Sequence, residues 1–420
     1  MSEFVLRASY AVAAKVYSQG MTLLLLAITS RLLGAEGYGL IAAATTWVML
    51  FVTIGHFSLG QVAQHYAATE GDEKWLDKAF GSLLFITLIL SVTIWVIALL
   101  MYALSIGKIF GNIPPTTFLI ALLLVPFLIW EVYGSGLLLA LDKIEIYNRA
   151  QVIGRTLAIP LIFIFVQVFD FGMNGALLSM VFAQVFISGF GIKFLLSRTT
   201  NKVWFHTKTI RILFNGGVRL HLNAIGAFLF SSANILIIQY YRGPADAGYY
   251  QIATQLVMGL FLIPQTISQL LYGKLTLIGA NGIWKYQKKI LIITLMVMIL
   301  LACGMGYAAE SIISLVASDS FMPAAEILRI YLLVIIAGTI NSIMGVQWIG
   351  RGLFWQASLL TIVTGLINFS LNMVLIPKYG ATGAAWATVA GVYLIPFATN
   401  MVFAYKIEKE QAKGFTNGSQ

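Results

Sequence analysis

Long apolar stretches recur along the whole chain and are separated by short polar segments. Each stretch covers about 20–29 residues, which is enough to cross roughly 30 Å of hydrocarbon as an α-helix that rises about 1.5 Å per residue. Few ionisable residues interrupt them, as expected where polar groups find no water. The pattern predicts an all-α polytopic membrane protein with about twelve spans. The predicted spans are residues 5–30, 39–67, 80–105, 116–140, 150–169, 174–196, 217–240, 248–272, 289–316, 325–348, 355–377 and 382–405.

The composition supports this prediction and excludes a water-soluble globule. Hydrophobic residues make up 59% of the chain and charged residues 10%, whereas soluble domains carry about 25% charged residues. The mean hydropathy is +0.88. A single cysteine, Cys303, excludes an intramolecular disulfide and a cysteine-rich metal site. No metal and no cofactor are expected.

The distribution of basic residues predicts the orientation. With both termini in the cytoplasm, the cytoplasmic loops and tails hold eighteen of the 26 Lys and Arg residues, and the external loops hold five. Excess basic charge marks cytoplasmic loops in membrane proteins. The net charge of +10 is therefore attributed to orientation, and no nucleic-acid partner is expected.

The longest basic connection divides the predicted spans into six and six. Residues 197–216 interleave Trp204 and Phe205 with basic residues, a pattern that favours an amphipathic helix on the anionic inner leaflet over a solvated linker. Residues 1–196 are expected to form an N-terminal lobe of six spans. Residues 217–407 are expected to form a C-terminal lobe, followed by a cytoplasmic tail at 408–420.

The two halves repeat short motifs at nearly the same offset. Gly172-Met-Asn-Gly175-Ala176 aligns with Gly380-Ala-Thr-Gly383-Ala384 at an offset of 208, and residues 37–42 align with residues 248–253 at an offset of 211. Because six spans return the chain to the side where it started, the repeats are expected to be parallel. In each copy the first glycine suits a turn with positive φ, and the following small residues suit close helix packing.

Three segments carry a resemblance to a known family. The segments LNMVLIPKYGATGAAWAT, SRLLGAEGYGLIAAA and ADAGYYQIATQLVMGLFLIPQTISQLLYGKL resemble the Wzx-like flippases for O-antigen and exopolysaccharide. These belong to the multidrug/oligosaccharidyl-lipid/polysaccharide exporter superfamily. The resemblance implies two helical bundles around a central cavity that opens alternately to either side of the bacterial cytoplasmic (inner) membrane.

The same resemblance implies the partners. The cargo would be an oligosaccharide carried on undecaprenyl pyrophosphate, in contact with membrane lipids. Whether a polysaccharide polymerase or ligase binds alongside is left open, as is coupling to H⁺ or Na⁺.

Ionisable residues within the predicted spans are few, and the candidates among them are Lys15, Glu131, Arg155 and Arg219. An ionisable residue at membrane depth costs several kcal/mol unless it is paired or hydrated, so each is a candidate functional residue. Three cations and one acid predict a positive vestibule, in which Arg can form paired hydrogen bonds to a pyrophosphate and Lys can neutralise it. Two alternatives remain open: Arg219 can snorkel to the interface, and Lys15 can form a structural pair with Glu131.

Polar side chains also repeat at helical spacing along several spans. Such faces point away from lipid and can line a cavity wide enough for sugars. They can equally fasten helices together through hydrogen bonds. The candidates for the cavity are Gln19, His56, Gln64, Asn223, Asn234 and Gln255.

Two other function classes compete with a flippase. An organic-cation antiporter of the same superfamily would need acidic residues in its lobes, whereas the candidate residues of the cavity include three bases and one acid, Glu131. A membrane-embedded polymerase or acyltransferase would need catalytic groups, usually on a sizeable external loop. The predicted external loops are short and lack His, and no GxxxxGK[ST] motif is present for an ATP-driven pump. A non-enzymatic transporter is therefore expected.

Overall fold

All regular elements in the described part of the chain are helical, which confirms the predicted all-α architecture. The computed structural model describes residues 2–69, 75–104, 109–199 and 203–417. Within these ranges, the side chains of residues 2–12, 68–69, 219, 276 and 412–417 are not described.

Sixteen α-helices follow one another along the described residues. They are α1 (Ser2–Gly55), α2 (Leu59–Thr69), α3 (Trp75–Ala103), α4 (Pro115–Leu122), α5 (Val125–Ala140), α6 (Ile144–Ile162), α7 (Gly172–Leu196), α8 (Thr207–Ser231), α9 (Ala233–Arg242), α10 (Pro244–Leu260), α11 (Leu262–Tyr307), α12 (Ala309–Val316), α13 (Pro323–Leu332), α14 (Val334–Gly350), α15 (Phe354–Val392) and α16 (Ala398–Asn417). Turns of π-helix extend α6 at Phe163–Val168 and α15 at Tyr393–Phe397.

The helices account for the predicted number of spans. Ten segments of the described chain are long and apolar enough to cross a membrane, when each of two bent helix pairs is counted as one span. Two of these segments, Ala13–Gly55 and Phe354–Gln411, contain a glycine with non-helical dihedral angles, Gly34 and Gly380. Dividing both segments at these glycines gives twelve spans.

The length of the two helical segments requires a break in each, and the backbone conformation at both breaks requires glycine. α1 contains 54 residues, which as one straight helix would measure roughly 80 Å and exceed the hydrocarbon thickness more than twofold. The backbone leaves helical geometry at Gly34 with a φ of 67° and at Gly380 with a φ of 61°. Side chains with a Cβ rarely adopt this region, whereas glycine enters it readily.

The repeated glycine motif has the same local role in both copies. Gly172 and Gly380 have positive φ values of 52° and 61°. Three residues later, a Cβ on Gly175 would lie 2.6 Å from the carbonyl oxygen of Phe165, and a Cβ on Gly383 would lie 2.5 Å from that of Leu375. The first glycine therefore turns the chain, and the second lets the returning helix pack onto the backbone of the preceding one, as predicted.

The described chain forms two compact units. One contains residues 1–228 and 243–248, and the other contains residues 229–242 and 249–420. In the first unit α6 packs on α7 and α2 packs on α5; in the second unit α11 packs on α14 and α9 on α15.

The first unit extends beyond the predicted linker at 197–216 and includes most of α8. A Cβ on Gly217 would lie 2.3 Å from the carbonyl oxygen of Phe57, and the His221 Nε2 atom lies 3.1 Å from the carbonyl oxygen of Ile54. These close contacts hold α8 against the break between α1 and α2.

The linker differs from the predicted amphipathic helix at its aromatic residues. Residues 203–206 are not helical, the helix starts at Thr207, and its segments Thr207–Val218 and Leu220–Ser231 meet at a bend of 50°. The Phe205 ring stacks on Phe85 of α3 with a centroid distance of 4.6 Å, and the His206 backbone N–H donates to Ser82 Oγ at 3.1 Å. The Phe205 ring and the His206 backbone thus fasten this segment to α3.

The close approach at the repeated motif predicts a loss of stability on adding one methyl group. Gly175→Ala and Gly383→Ala should each destabilise the protein by about 1–3 kcal/mol, because the new Cβ would overlap a carbonyl oxygen that belongs to a packed helix. The measurement is the thermal midpoint of the purified protein in detergent, together with its amount in the membrane.

Gly189→Ala is the matched control for this prediction. Gly189 lies on α7, as does Gly175, but a Cβ there would meet no atom within 4 Å. Its midpoint should not fall. If Gly175→Ala were as stable as Gly189→Ala, the close packing at the repeated motif would not contribute to stability.

Candidate functional site

A cavity of about 430 Å³ lies inside the first unit, between α1, α5, α6 and α7. Most of its wall is apolar. Two charged side chains, Glu131 from α5 and Arg155 from α6, line the same cavity together with the polar residues Tyr147, Gln151 and Gln184. The structure therefore brings together two of the four ionisable residues that the sequence singled out.

Glu131 is surrounded by neutral hydrogen-bond donors. Its Oε1 accepts a hydrogen bond from the Tyr147 hydroxyl at 2.6 Å and another from Gln151 Nε2 at 2.7 Å. Its Oε2 accepts from Gln184 Nε2 of α7. The structural Lys15–Glu131 pair that the sequence left open is not among the contacts of Glu131 in the described part of the chain. Neutral dipoles thus hold the carboxyl group of Glu131, and no cation of the described residues lies within salt-bridge distance of it.

Gln151 connects the acid to the base. Its amide nitrogen donates to Glu131 and, at 2.9 Å, to the Tyr147 hydroxyl, while its amide oxygen accepts from Arg155 Nε at 3.0 Å. Arg155 also donates through Nη1 to the Thr22 hydroxyl of α1. Because Tyr147, Gln151 and Arg155 follow at intervals of four residues, they share one face of α6. This spacing positions the guanidinium at the cavity wall.

The arrangement leaves binding capacity on Arg155. A guanidinium carries five N–H donors and no acceptor, and the described hydrogen bonds use Nε and Nη1. The side chain is held on two sides by α1 and α6, so it is oriented before any ligand enters. Chemically, the site can present a fixed cation and a carboxylate to a ligand of the cavity.

The remaining predicted residues of the first unit whose side chains are described do not line this cavity. Lys15 and Gln19 are half-buried on α1, and Gln64 is half-buried on α2. Asn223 is exposed on α8. Arg219 belongs to α8, but its side chain lies outside the described residues.

His56 takes part in a separate cluster at the break between α1 and α2. Its Nδ1 accepts a hydrogen bond from the Ser58 backbone N–H at 2.9 Å, and its ring packs edge-on against His221 at 5.3 Å. Phe57 and Ser58 both have positive φ, 45° and 54°. The structure therefore places His56 in a contact that stabilises an irregular turn.

Asn234 lies in the second unit within a buried hydrogen-bond network. Its side chain is fully buried and donates to the Tyr250 hydroxyl at 2.7 Å and to Thr388 Oγ1 at 3.2 Å. Its Oδ1 accepts from Asn372 at 2.7 Å, and Asn372 also donates to Asn368 at 2.8 Å. This is the helix-fastening arrangement that the sequence left as the alternative to a cavity role. Gln255 is half-buried on α10.

Sequence reasoning missed three residues of the site: Tyr147, Gln151 and Gln184. The interval of four between Tyr147, Gln151 and Arg155 was a usable signal, since it places an amide about one turn and a phenol about two turns from the arginine. Gln184 gave no such signal. Its contact with Glu131 joins α7 to α5 and depends on tertiary packing.

Comparisons with known proteins agree with the fold and the family. A family model described as polysaccharide biosynthesis protein matches residues 6–271. An uncharacterized membrane protein of Methanocaldococcus jannaschii is 22% identical over 398 residues, which cover 89% of this chain and 78% of that protein.

Several solved transporters share the fold at low sequence identity. The lipid II flippase MurJ in an inward closed conformation has a TM-score of 0.79 and 15% identity, over 94% of this chain and 87% of that chain. An inward-facing multidrug resistance MATE family transporter of the MOP superfamily has a TM-score of 0.73 and 16% identity, over 93% of this chain and 96% of that chain. A MOP superfamily transporter from Pyrococcus furiosus has a TM-score of 0.61 and 16% identity, over 96% and 97%.

These findings confirm the family resemblance noted in the sequence, together with the predicted fold of about twelve helices. The apolar helices and the shared fold identify a multi-pass membrane protein. Since the family model covers more than half of the 420 residues, the chain belongs to the polysaccharide biosynthesis protein family.

Proposed function

We propose that the protein is a flippase that moves an undecaprenyl-pyrophosphate-linked oligosaccharide across the cytoplasmic (inner) membrane by alternating access, for the synthesis of a cell-surface polysaccharide. Membership of the polysaccharide biosynthesis protein family and the likeness to a protein named as a lipid II flippase support the proposal. The observation that carries it is Arg155, a cation held at the wall of a cavity at membrane depth.

The chemistry of Arg155 favours an anionic headgroup. A guanidinium binds phosphate oxygens through paired, charge-assisted hydrogen bonds, each worth about 1.5–3 kcal/mol. Removing the charge of an arginine from water costs free energy. A neutral residue could fasten the helices without that cost, so fastening alone does not explain an arginine at this position. In this account Arg155 contacts the pyrophosphate.

Lys15 and Arg219 are proposed as further cations along the path of the pyrophosphate. Gln19, Gln64, Asn223 and Gln255 are proposed to contact sugar hydroxyls, because amides can both donate and accept hydrogen bonds. Both termini are proposed to lie in the cytoplasm, on the basis of the basic loops. A polysaccharide polymerase or ligase on the far side of the membrane would receive the cargo.

Glu131 is the residue that supports the alternative function, an organic-cation antiporter. A carboxylate in a cavity can attract an organic cation, as a multidrug antiporter would require. Here, however, both carboxylate oxygens already accept hydrogen bonds from Tyr147, Gln151 and Gln184. We propose instead that Glu131 couples transport to H⁺ or Na⁺, with its bonds to Gln151 linking ion binding to the position of Arg155.

Neutralising Arg155 should reduce transport without reducing the amount of protein. Loss of the charge-assisted contact should weaken headgroup binding about tenfold or more in Arg155→Gln. Arg155→Lys should recover only part, because an ammonium cannot form the paired contact. The measurement is export of the lipid-linked glycan in cells, normalised to the protein in the membrane.

Arg149→Gln is the matched control for this experiment. Arg149 lies on the same helix as Arg155 but is exposed and outside the cavity. It should export at the wild-type rate. Normal export by Arg155→Gln, combined with loss of lipophilic-cation transport in Glu131→Gln, would overturn the flippase proposal in favour of an antiporter.

Removing the carboxylate of Glu131 should uncouple transport from the ion gradient. Glu131→Gln keeps the size and the polarity of the side chain but cannot bind and release a proton. In inverted vesicles, wild-type transport should accelerate when a pH or Na⁺ gradient is imposed, and the variant should not respond. Glu145→Gln serves as the control, because Glu145 lies at the start of α6 outside the cavity. An unchanged gradient response in Glu131→Gln would exclude Glu131 as the coupling residue.

A further inference from the structure

The second unit contains a cavity of its own, of about 440 Å³, with a different chemical character. No Lys, Arg, His, Asp or Glu occurs among its described lining residues. Aromatic rings and neutral hydrogen-bonding groups share the wall. The aromatic residues are Phe230, Phe261, Tyr331 and Trp348, and the polar ones are Gln265, Asn341, Ser342, Thr361 and Thr364.

Irregular backbone surrounds this cavity on three sides. Phe261 lies at the break between α10 and α11, the pair α13 and α14 is bent by 42° next to Val334, and Pro396 belongs to the π-helical turn after α15. Each of these three residues lines the cavity. At membrane depth, irregular backbone is tolerated where it is buried in protein or faces a wet cavity, and π-helical turns are frequent at functional sites. The irregularities therefore indicate a built site and not a packing defect.

A buried asparagine orients two polar groups of the wall. Asn400 is fully buried and lies outside the lining; its Oδ1 accepts from Trp348 Nε1 at 2.8 Å, and its Nδ2 donates to Asn341 Oδ1 at 3.1 Å. Phe403 packs on the Trp348 ring at 4.2 Å. The bond to Asn400 fixes the Asn341 amide so that its oxygen is engaged, and its NH₂ group is left to donate to a ligand.

The chemistry of the wall selects among the ligand classes. An isoprenoid chain would leave the NH₂ group of Asn341 without a partner, at a cost of about 1–3 kcal/mol. An organic cation would find no carboxylate, and a phosphate would find no cation. A sugar ring offers apolar faces for aromatic side chains and hydroxyls for amides, and a volume of about 440 Å³ lies within the range of small-ligand pockets, roughly 300–1,000 Å³.

We propose that the cavity of the second unit is a binding site for uncharged sugar rings, with Asn341 as a hydrogen-bond donor and Trp348 as an aromatic platform. That the bound sugars belong to the transported glycan rests on the proposed function. Asn400 is a positioning residue, since it acts on the ligand only through Asn341 and Trp348.

Protection of a thiol placed in the cavity tests the proposal on the purified full-length protein. Ser342→Cys, made in a Cys303→Ser background, introduces one reactive group into the lining. The probes are neutral di- and trisaccharides of glucose, galactose and N-acetylglucosamine, with inorganic pyrophosphate and tetraphenylphosphonium as comparisons. At about four times its Kd, a bound saccharide should slow maleimide labelling about fivefold. Neither pyrophosphate nor tetraphenylphosphonium should slow it.

Two further variants separate a specific site from a general effect. Ser320→Cys, in the exposed turn at Asp319–Phe321, should label at the same rate with or without saccharide. Asn341→Asp retains the oxygen that accepts from Asn400 but replaces the donor group, so the protection at position 342 should disappear while labelling without saccharide continues.

Three results would overturn the proposal: a thiol at 342 that does not react, labelling that no saccharide slows, or protection by tetraphenylphosphonium or pyrophosphate instead. Because the saccharide probes carry no phosphate, the outcome does not depend on Arg155. Saccharide protection together with normal export by Arg155→Gln would contradict the proposed function and support the sugar site. Loss of export by Arg155→Gln without saccharide protection would support the proposed function and contradict the sugar site.

Discussion

The structure depends on one constraint: inside hydrocarbon, every backbone N–H and C=O group must be satisfied by the protein itself. This constraint explains why all regular elements of the described chain are helical and why its departures from helical geometry are confined to particular places. Gly34 and Gly380 turn the chain where two spans meet. The break at Phe261 and the π-helical turn at Tyr393–Phe397 border a cavity.

The same constraint acts on polar side chains, and the two units meet it differently. In the first unit Gln151 lies between Glu131 and Arg155, so that an amide dipole connects an acid and a base across the cavity wall. In the second unit the fully buried Asn372 donates a hydrogen bond to the fully buried Asn234, and this bond fastens helices. Two cavities of similar volume thus differ in charge, one with a carboxylate and a guanidinium and one with neutral groups.

The sequence predicted the features that depend on local pattern. Hydropathy gave the spans, and the repeated motif gave the glycine turns at Gly172 and Gly380, because a positive φ and a close helix contact each require a particular residue type. Arg155 and Glu131 were identified because an ionisable side chain within hydrocarbon costs free energy unless it has a function or a partner. Contacts between helices depend on packing between residues that are distant in sequence, which a local pattern does not show. The sequence therefore did not decide whether Asn234 faced a cavity or a neighbouring helix, or whether Trp204 joined α8.

We propose that the protein recognises a lipid-linked glycan through its pyrophosphate. The most direct measurement reconstitutes the purified protein in liposomes and follows the movement of fluorescent undecaprenyl-linked oligosaccharides between leaflets. We expect rapid transfer of the pyrophosphate-linked glycan, little transfer of the same glycan on an uncharged polyprenyl lipid, and slower transfer of the pyrophosphate-linked glycan by Arg155→Gln. Equal transfer of both lipids, or transfer of neither, would contradict the proposal.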